Sequence, residues 1–461
     1  MYQIDFQTPV HVHFIGIGGI SMSGLAEILL RESFRISGSD ASRSKLTEHL
    51  ESLGASVLYG QRAENITNDI DVVVYTAAIH PDNPEFAAAA AADIPMLTRA
   101  QLLGQIMRNY QTAIAVSGTH GKTTTTSMLA TLLLKAEKDP TITVGGILPE
   151  IGGNIRVGAS DTFLTEACEY TNSYLSFYPT VSIILNIEED HMDFFQDLAD
   201  IRSSFHRFAG LLPEDGLLVL NGEIERPQEI TDGIRAKTVS YGLSGTEDYT
   251  APADSIAYDH RGCASFLLCH KGSCIGPVSL NVPGIHNVSN ALAALAVALE
   301  LDIPFDTAAA GLLDFHGTQR RFQYKGQYHG ITIIDDYAHH PTEIKATLRT
   351  AALCPRREIW CVFQPHTYTR TKAFLKDFAQ ALSLSDHVVL ADIYAAREQN
   401  TIGISSLDLL KELQNLGTDC YYFPDFDEIE KFLSKKCIHG DLLITMGAGD
   451  VLKIGENLLS R

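Results

Sequence analysis

Across 461 residues there is a single tryptophan, and none of the eight cysteines (positions 168, 263, 269, 274, 354, 361, 420 and 437) forms a C-x-x-C pair. Thiols scattered this way in a long chain argue against a disulfide frame and predict reduced cysteines in a cytoplasmic setting. Cys263, Cys269 and Cys274 cluster loosely, but their spacing matches no common zinc-ligand set. Positive charge is also scarce: 35 Lys and Arg stand against 56 Asp and Glu, a formal charge of −21. That excess disfavours non-specific binding to nucleic acid or anionic lipid, so any anionic ligand needs a local cradle of donors. No apolar run reaches the ~18 residues of a membrane span. The opening "MYQIDFQTPVHVHFIGIGG" lacks the basic stretch and long apolar region of a secretory leader.

What is present is a thrice-repeated plan of short apolar strands and periodic helices. The ~150 residues typical of one domain suggest about three. The divisions fall at 1–108, 109–322 and 323–461, with no Pro/Ser-rich linker and no short repeat. "VHVHFIGIGGISMSGLAEILL" opens the first segment as strand, glycine turn and helix, the order of an open parallel sheet. "TAIAVSGTHGKTTTT" opens the second in the same way, and "DTFLTEACEY" and "TVSIILNIEEDHMD" read as further strands ending in acids or imidazole. In the third, "ITIIDDYAHHP", "EIWCVFQPHT" and "DHVVLADIY" alternate with helices. The fold class is therefore α/β.

Two glycine turns carry the chemistry. "GIGGIS" nearly fits G-x-G-x-x-G, with Ser21 at the last glycine position and Asp40 22 residues beyond Gly18, where a ribose-binding acid is expected. Alone it fits a plain turn, a dehydrogenase or any nucleotide diphosphate at a helix N-terminus. The second turn, Gly118-Thr119-His120-Gly121-Lys122-Thr123, ends as a phosphate loop does, although Val116 stands where the longer motif has glycine. Backbone N–H groups, an ammonium and a hydroxyl are what a triphosphate with Mg²⁺ requires. Glu166, and His191 among Glu188, Glu189, Asp190 and Asp193, are candidate metal-site groups at strand ends. Nucleotide binding without catalysis is the remaining alternative on these residues alone.

"HFIGIGGISMSGLAEIL", "GTHGKTTTT", "NIEEDHMD", "PGIHNVSNALAA", "GTQRRF", "DDYAHHPTEI" and "FQPHTYTRT" occur in that order. Together they resemble the Mur ligases of peptidoglycan synthesis over residues 10 to 455. The resemblance implies an N-terminal Rossmann-like UDP-binding domain, a central P-loop ATPase-like domain and a C-terminal Rossmann-like domain. It implies ATP and Mg²⁺ as cofactors, and UDP-N-acetylmuramate and L-alanine as substrates. The branch of the family that adds a tripeptide is the alternative. Neither nucleic acid nor membrane insertion is implied, and the chain is expected to be a monomer or weak homodimer.

Residue by residue, the resemblance puts ATP on Gly118, Thr119, His120, Gly121, Lys122, Thr123 and Thr124. His286, Asn287 and Asn290 would surround the adenine, Arg321 would reach the γ-phosphate, and Asp335 and Asp336 would approach the ribose or the incoming ammonium. Thr123, Glu166 and His191 would hold metal. His339, His340 and Arg370 would bind the amino acid, with His191 or His339 as the base. Gly16, Gly18, Gly19 and Ser21 would meet the diphosphate, and Asp40 the uridine ribose. Two departures stand out: "EACEYT" stands where many members of the family have "EADESD", and Thr367 stands where many have an arginine.

Overall fold

The computed structural model describes residues 2–76, 78–396 and 398–461. Its described residues form three sheets. Strands such as His11–Ile15, Thr112–Ser117, Val181–Ile184 and Leu442–Met446 are rich in apolar residues and buried on both faces along nearly their whole length. This is the pattern expected of parallel strands covered by helices.

The first sheet has five parallel strands, in the order Ser56–Tyr59, Arg35–Asp40, His11–Ile15, Val72–Tyr75, Met96–Thr98. Gly16 to Gly19 follow the strand at which the order reverses, the usual ligand crevice of such sheets. Local rules set the helix ends. Ser44 and Thr47 form a capping box for Lys45–Ser52, and Gly54, at φ 107°, adopts the left-handed turn that stops it. The apolar core of this segment runs on into one face of the central sheet, through Ala113, Ala115 and Phe163.

In the central sheet, Thr112–Ser117 lies between Val181–Ile184 and Thr162–Ala167, all parallel. Their carboxyl ends therefore open side by side. The outer part of this sheet is antiparallel, a hairpin of Cys263–His270 with Ser273–Pro283. Here the expectation of reduced, unpaired cysteines fails, because Cys269 and Cys274 are joined in a disulfide. A register shift after Leu268 makes these two residues cross-strand partners, with Cα atoms 3.8 Å apart. Spacing along the sequence does not reveal that bulge.

The third sheet runs Gln323–Tyr328, Ile331–Asp336, Leu442–Met446, Ile359–Phe363, His387–Leu390, Asp419–Tyr422, with only its first strand antiparallel. Ile331–Asp336 and Ile359–Phe363 flank Leu442–Met446, so the segments that follow them, with His339, His340 and Arg370, emerge at one end.

Candidate active site

The loop after Thr112–Ser117 is built by two left-handed glycines, Gly118 at φ 138° and Gly121 at φ 84°. A Cβ at Gly118 would stand 2.8 Å from Leu185 Cβ, and one at Gly121 would stand 2.8 Å from Asn290 Oδ1, so neither place admits a side chain. Asn186 fixes the turn: its backbone oxygen accepts from Thr119 N–H (3.1 Å), and its Oδ1 accepts from His120 N–H (2.7 Å). Lys122 begins the helix Lys122–Lys135, and its Nζ donates to Glu169 Oε2 at 2.9 Å and to Thr119 O at 3.1 Å. Burial opposes the charge on Lys122, but the Glu169 carboxylate outweighs it and holds the ammonium protonated well above its ordinary range. Of the threonine run, Thr125 and Thr126 turn into the core, while Thr124 lines the cleft.

Glu166 reaches the same region from the strand Thr162–Ala167, and His191, expected at a strand end, from the loop that follows Val181–Ile184. Glu166 pairs in register with Val116, and its Oε1 accepts from Gly145 N–H at 2.5 Å. Glu169 links the rest: it pairs with Lys122, and its Oε1 lies 4.0 Å from His191 Nε2. Sequence reasoning passed over Glu169, although it lies in the quoted "EACEYT"; an acid three places after Glu166 carries no signal of its own. The residues fit a magnesium ion on one observation. A Cβ at Gly145 would lie 2.8 Å from Glu166 Oε2, and one at Gly146 would lie 3.2 Å from Thr123 Cγ2. The glycine at 145 keeps space open at the Glu166 carboxylate, and the carboxylate of Glu166 and the hydroxyl of Thr123 are oxygen donors of the kind Mg²⁺ prefers.

The third segment closes over this loop. Glu343, at the start of the helix Pro341–Ala351, accepts at Oε1 from His120 Nδ1 (3.3 Å) and at Oε2 from His339 N–H (3.0 Å). Glu188 Oε2 sits 3.6 Å from His120 Nε2. Burial would lower the His120 pKa, but these two carboxylates raise it to about 9. Glu188 is pulled down to about 2 against its own burial, chiefly by His120. Ligand atoms of His120, Glu188 and His340 fall within 4.8 Å of one another. The two ring nitrogens of His120 face Glu188 and Glu343, and His340 is already engaged by Glu189 O at 3.1 Å and Thr342 N–H at 3.3 Å. His120 therefore joins the central and third segments, in addition to lending its backbone to the loop.

The twin arginines divide. Arg320 binds Asp335 Oδ2 (3.0 Å) and the backbone oxygen of Gly447 (2.6 Å), while Arg321 lines the cleft, 3.9 Å from Glu343 Oε1. Asp335 is held by Arg320 and Thr445 and is 1% exposed. Asp336 lines the cleft, but its oxygens already accept from Phe322 N–H, Ala338 N–H and Thr347 Oγ1, and burial pushes its pKa up to about 6. Arg370 Nη2 donates to Asp190 Oδ1 at 2.8 Å, and Nη1 lies 3.3 Å from His366 Nδ1. Asp190, despite burial, is held well below the usual carboxylate range by Arg370. The pKa of His339, half-buried beside them, is lowered to about 4 by desolvation. Arg370, Asp190 and His191 thus form one chain of contacts, since Asp190 Oδ2 lies 3.8 Å from His191 Nε2.

His286, Asn287 and Asn290 line a cleft of about 1410 Å³ between the central and third segments, together with Gly121, Thr124 and Arg321. Asn290 Nδ2 donates to Asn287 Oδ1 at 3.1 Å, and His286 is exposed at the start of the helix Ile285–Glu300. In the first segment, Gly16 and Ile17 donate to Ser39 O, and Gly18 N–H donates to Asp40 Oδ2 at 2.8 Å. A Cβ at Gly18 would meet that oxygen at 2.7 Å. Gly19 caps the helix Ile20–Arg31, and Ser21 Oγ accepts from Arg99 at 3.0 Å.

Three α/β units with a phosphate-type loop at the heart of the central one define the class. The chain belongs to the Mur ligase family. Residues 11–111 match the Mur ligase family catalytic domain, 116–298 the Mur ligase middle domain, and 320–449 the Mur ligase glutamate ligase domain. Over 461 residues it is 60% identical to a UDP-N-acetylmuramate–L-alanine ligase of Agathobacter rectalis, covering 100% of both chains. A protein of the same name from Lachnospira eligens is 56% identical over 459 residues, again covering 100% of both. Among solved structures, the UDP-N-acetylmuramate-alanine ligase MurC of Thermotoga maritima superposes with a TM-score of 0.79 at 29% identity, covering 98% of each chain. A murein peptide ligase of Psychrobacter arcticus, 24% identical with a TM-score of 0.70, shares the fold. Among the described residues, no helix is long and apolar enough to cross a membrane.

Proposed function

We propose that this chain joins L-alanine to UDP-N-acetylmuramate, driven by cleavage of ATP to ADP and phosphate. The observation that carries this reading is the contact chain from Lys122 through Glu169, His191 and Asp190 to Arg370. It connects a phosphate loop to a guanidinium suited to an amino-acid carboxylate. Full-length relatives with that printed name point the same way.

A carboxylate does not condense with an amine at neutral pH until one of its oxygens becomes a leaving group. In this reading a lactyl carboxylate oxygen attacks the γ-phosphorus, ADP departs, and an acyl phosphate results. The amine of L-alanine attacks the acyl carbon, and phosphate leaves. Lys122 and Arg321 would offset charge on the transferring phosphoryl group, the electrostatic work that dominates such steps. Thr123, Glu166 and His191 would hold Mg²⁺, which when bound would supply further neutralisation of the phosphates. His286, Asn287 and Asn290 would receive the adenine, and Gly16, Gly18, Gly19, Ser21 and Asp40 the UDP moiety.

Arg370 would hold the alanine carboxylate, with His340 shaping the wall. His339, with a pKa near 4, can accept a hydrogen bond from the incoming ammonium but is too weak to keep its proton. It would orient the amine, leaving His191 or solvent to take the proton. Closure of the third segment over the loop would exclude water, which otherwise hydrolyses an acyl phosphate.

The test is phosphate release from ATP and UDP-N-acetylmuramate with L-alanine, glycine, L-serine or a muramyl tripeptide as the amine. L-Alanine should give the highest kcat/KM. Turnover with the tripeptide alone would transfer the chain to the tripeptide-adding branch.

A further inference from the structure

The helix Arg99–Met107 begins with a cation, in an environment that does nothing to neutralise it. Thr98 and Gln101 form a capping box, which puts Arg99 in the first turn, where the helix dipole favours anions. The guanidinium is half-buried, and among the described residues no carboxylate forms an ion pair with it. Among the described residues its one hydrogen bond is to a neutral group, Ser21 Oγ at 3.0 Å. Burial lowers its pKa, and the one ionisable group acting against that is the Cys168 thiol. A half-buried guanidinium with no counter-charge pays part of its desolvation without return.

Its position explains what it serves. On one side Arg99 touches the helix that follows the Gly16–Gly19 turn. On the other, its helix is clamped onto the turn Tyr170–Ser176, which begins immediately after Glu169: a Cβ at Gly104 would lie 1.9 Å from Ser176 O. Cys168 itself feels the charges of Lys122, Glu166 and Glu169. Arg99 therefore stands at the seam between the first glycine loop and the phosphate loop.

We propose that Arg99 binds an oxyanion of the nucleotide-sugar acid at this seam, holding that substrate between its own loop and the phosphoryl group it is to receive. The proposal rests on the function assigned above. A guanidinium can engage either a carboxylate or a diphosphate through paired N–H donors, and the substrate carries both groups. The Ser21 contact alone does not account for the residue, since a neutral donor would satisfy a hydroxyl at lower desolvation cost.

The test is calorimetric binding of UDP-N-acetylmuramate, UDP-N-acetylglucosamine (which lacks the lactyl carboxylate) and ATP to the unaltered chain, Arg99→Ala, Arg99→Gln and Arg99→Lys. Arg99→Ala and Arg99→Gln should each weaken UDP-N-acetylmuramate by roughly 10–100-fold, the range for a hydrogen bond to a charged group. ATP affinity and thermal midpoint should be unchanged, and Arg99→Lys should recover only part of the loss. If UDP-N-acetylglucosamine weakens equally, the oxyanion is the diphosphate; if it is unaffected, it is the carboxylate. Native-like binding by Arg99→Gln would reduce the residue to its Ser21 contact and overturn the proposal, as would native-like binding by Arg99→Ala. Failure of the unaltered chain to bind UDP-N-acetylmuramate would remove the proposed function and this inference together.

Discussion

The two glycine turns share one backbone plan and differ in how their charges are met. At the first, Gly16, Ile17 and Gly18 donate to Ser39 and Asp40 on the adjacent strand, and the nearby cation, Arg99, pairs with a hydroxyl. At the second, every cation has an acid: Lys122 has Glu169, His120 has Glu188 and Glu343, and Arg370 has Asp190. A loop that only holds a ligand can keep a cation in reserve for it. A loop at which a phosphoryl group moves needs cations whose positions are fixed beforehand, because preorganised charge need not rearrange as the reaction proceeds. The acids supply that rigidity, and two of them, Glu343 and Asp190, do so across the border between segments.

The largest expected effect separates the loops outright. Lys122→Ala should lower substrate-dependent phosphate release by at least ~10³-fold, since it removes the ammonium that the proposed function places on the phosphates. UDP-N-acetylmuramate affinity, measured by calorimetry, should stay within about twofold. Loss of both would mean that the loops are one site and the contrast is false.

A smaller effect sharpens the division of the arginines beside the second loop. Arg320→Ala leaves Asp335 buried without its partner and should cost ~3–5 kcal/mol of unfolding free energy in urea titration. Arg321→Ala breaks a partly exposed pair at 3.9 Å and a cation–π contact with Tyr337, and should cost under ~2 kcal/mol while abolishing most turnover. Equal destabilisation by both substitutions would contradict the assignment.

The smallest effect reads the clasp at His120. Its pKa rises from 6.5 to about 9 on folding, so its contribution is complete below pH 6.5 and is lost as the pH rises through about 9. Thermal midpoints of the unaltered chain should fall across that window, and those of His120→Gln should start lower and fall less. Parallel profiles would show that the His120 charge does not join the segments.

How far the sequence foretold this differs between the loops and their partners. Gly118, Gly121, Lys122 and Thr123 are legible because a phosphate loop is a local motif, with spacing and conformation carried by one stretch of chain. Glu166 could be singled out as the polar end of an apolar strand, and parallel pairing with Thr112–Ser117 brings it alongside, while His191 arrives from the loop after Val181–Ile184. Glu169, Asn186, Glu188 and Glu343 act through tertiary contacts, so nothing in their own neighbourhoods marks them off from solvated acids and amides. Arg320 and Arg321 are indistinguishable as a dipeptide. Backbone direction separates them: Arg320 has a φ of 61°, its side chain reaches Asp335 and Gly447, and its neighbour lines the cleft. The Cys269–Cys274 bond stayed hidden behind a β-bulge.

The most direct measurement follows one oxygen. With ¹⁸O in the lactyl carboxylate of UDP-N-acetylmuramate, transfer of the γ-phosphoryl group to that carboxylate must carry one labelled oxygen into the phosphate released when L-alanine attacks. Mass spectrometry of the products should find the label in inorganic phosphate, one atom per turnover, and none in the adenine nucleotide. Unlabelled phosphate, or label in AMP, would contradict phosphoryl activation of the carboxylate at the Lys122 loop.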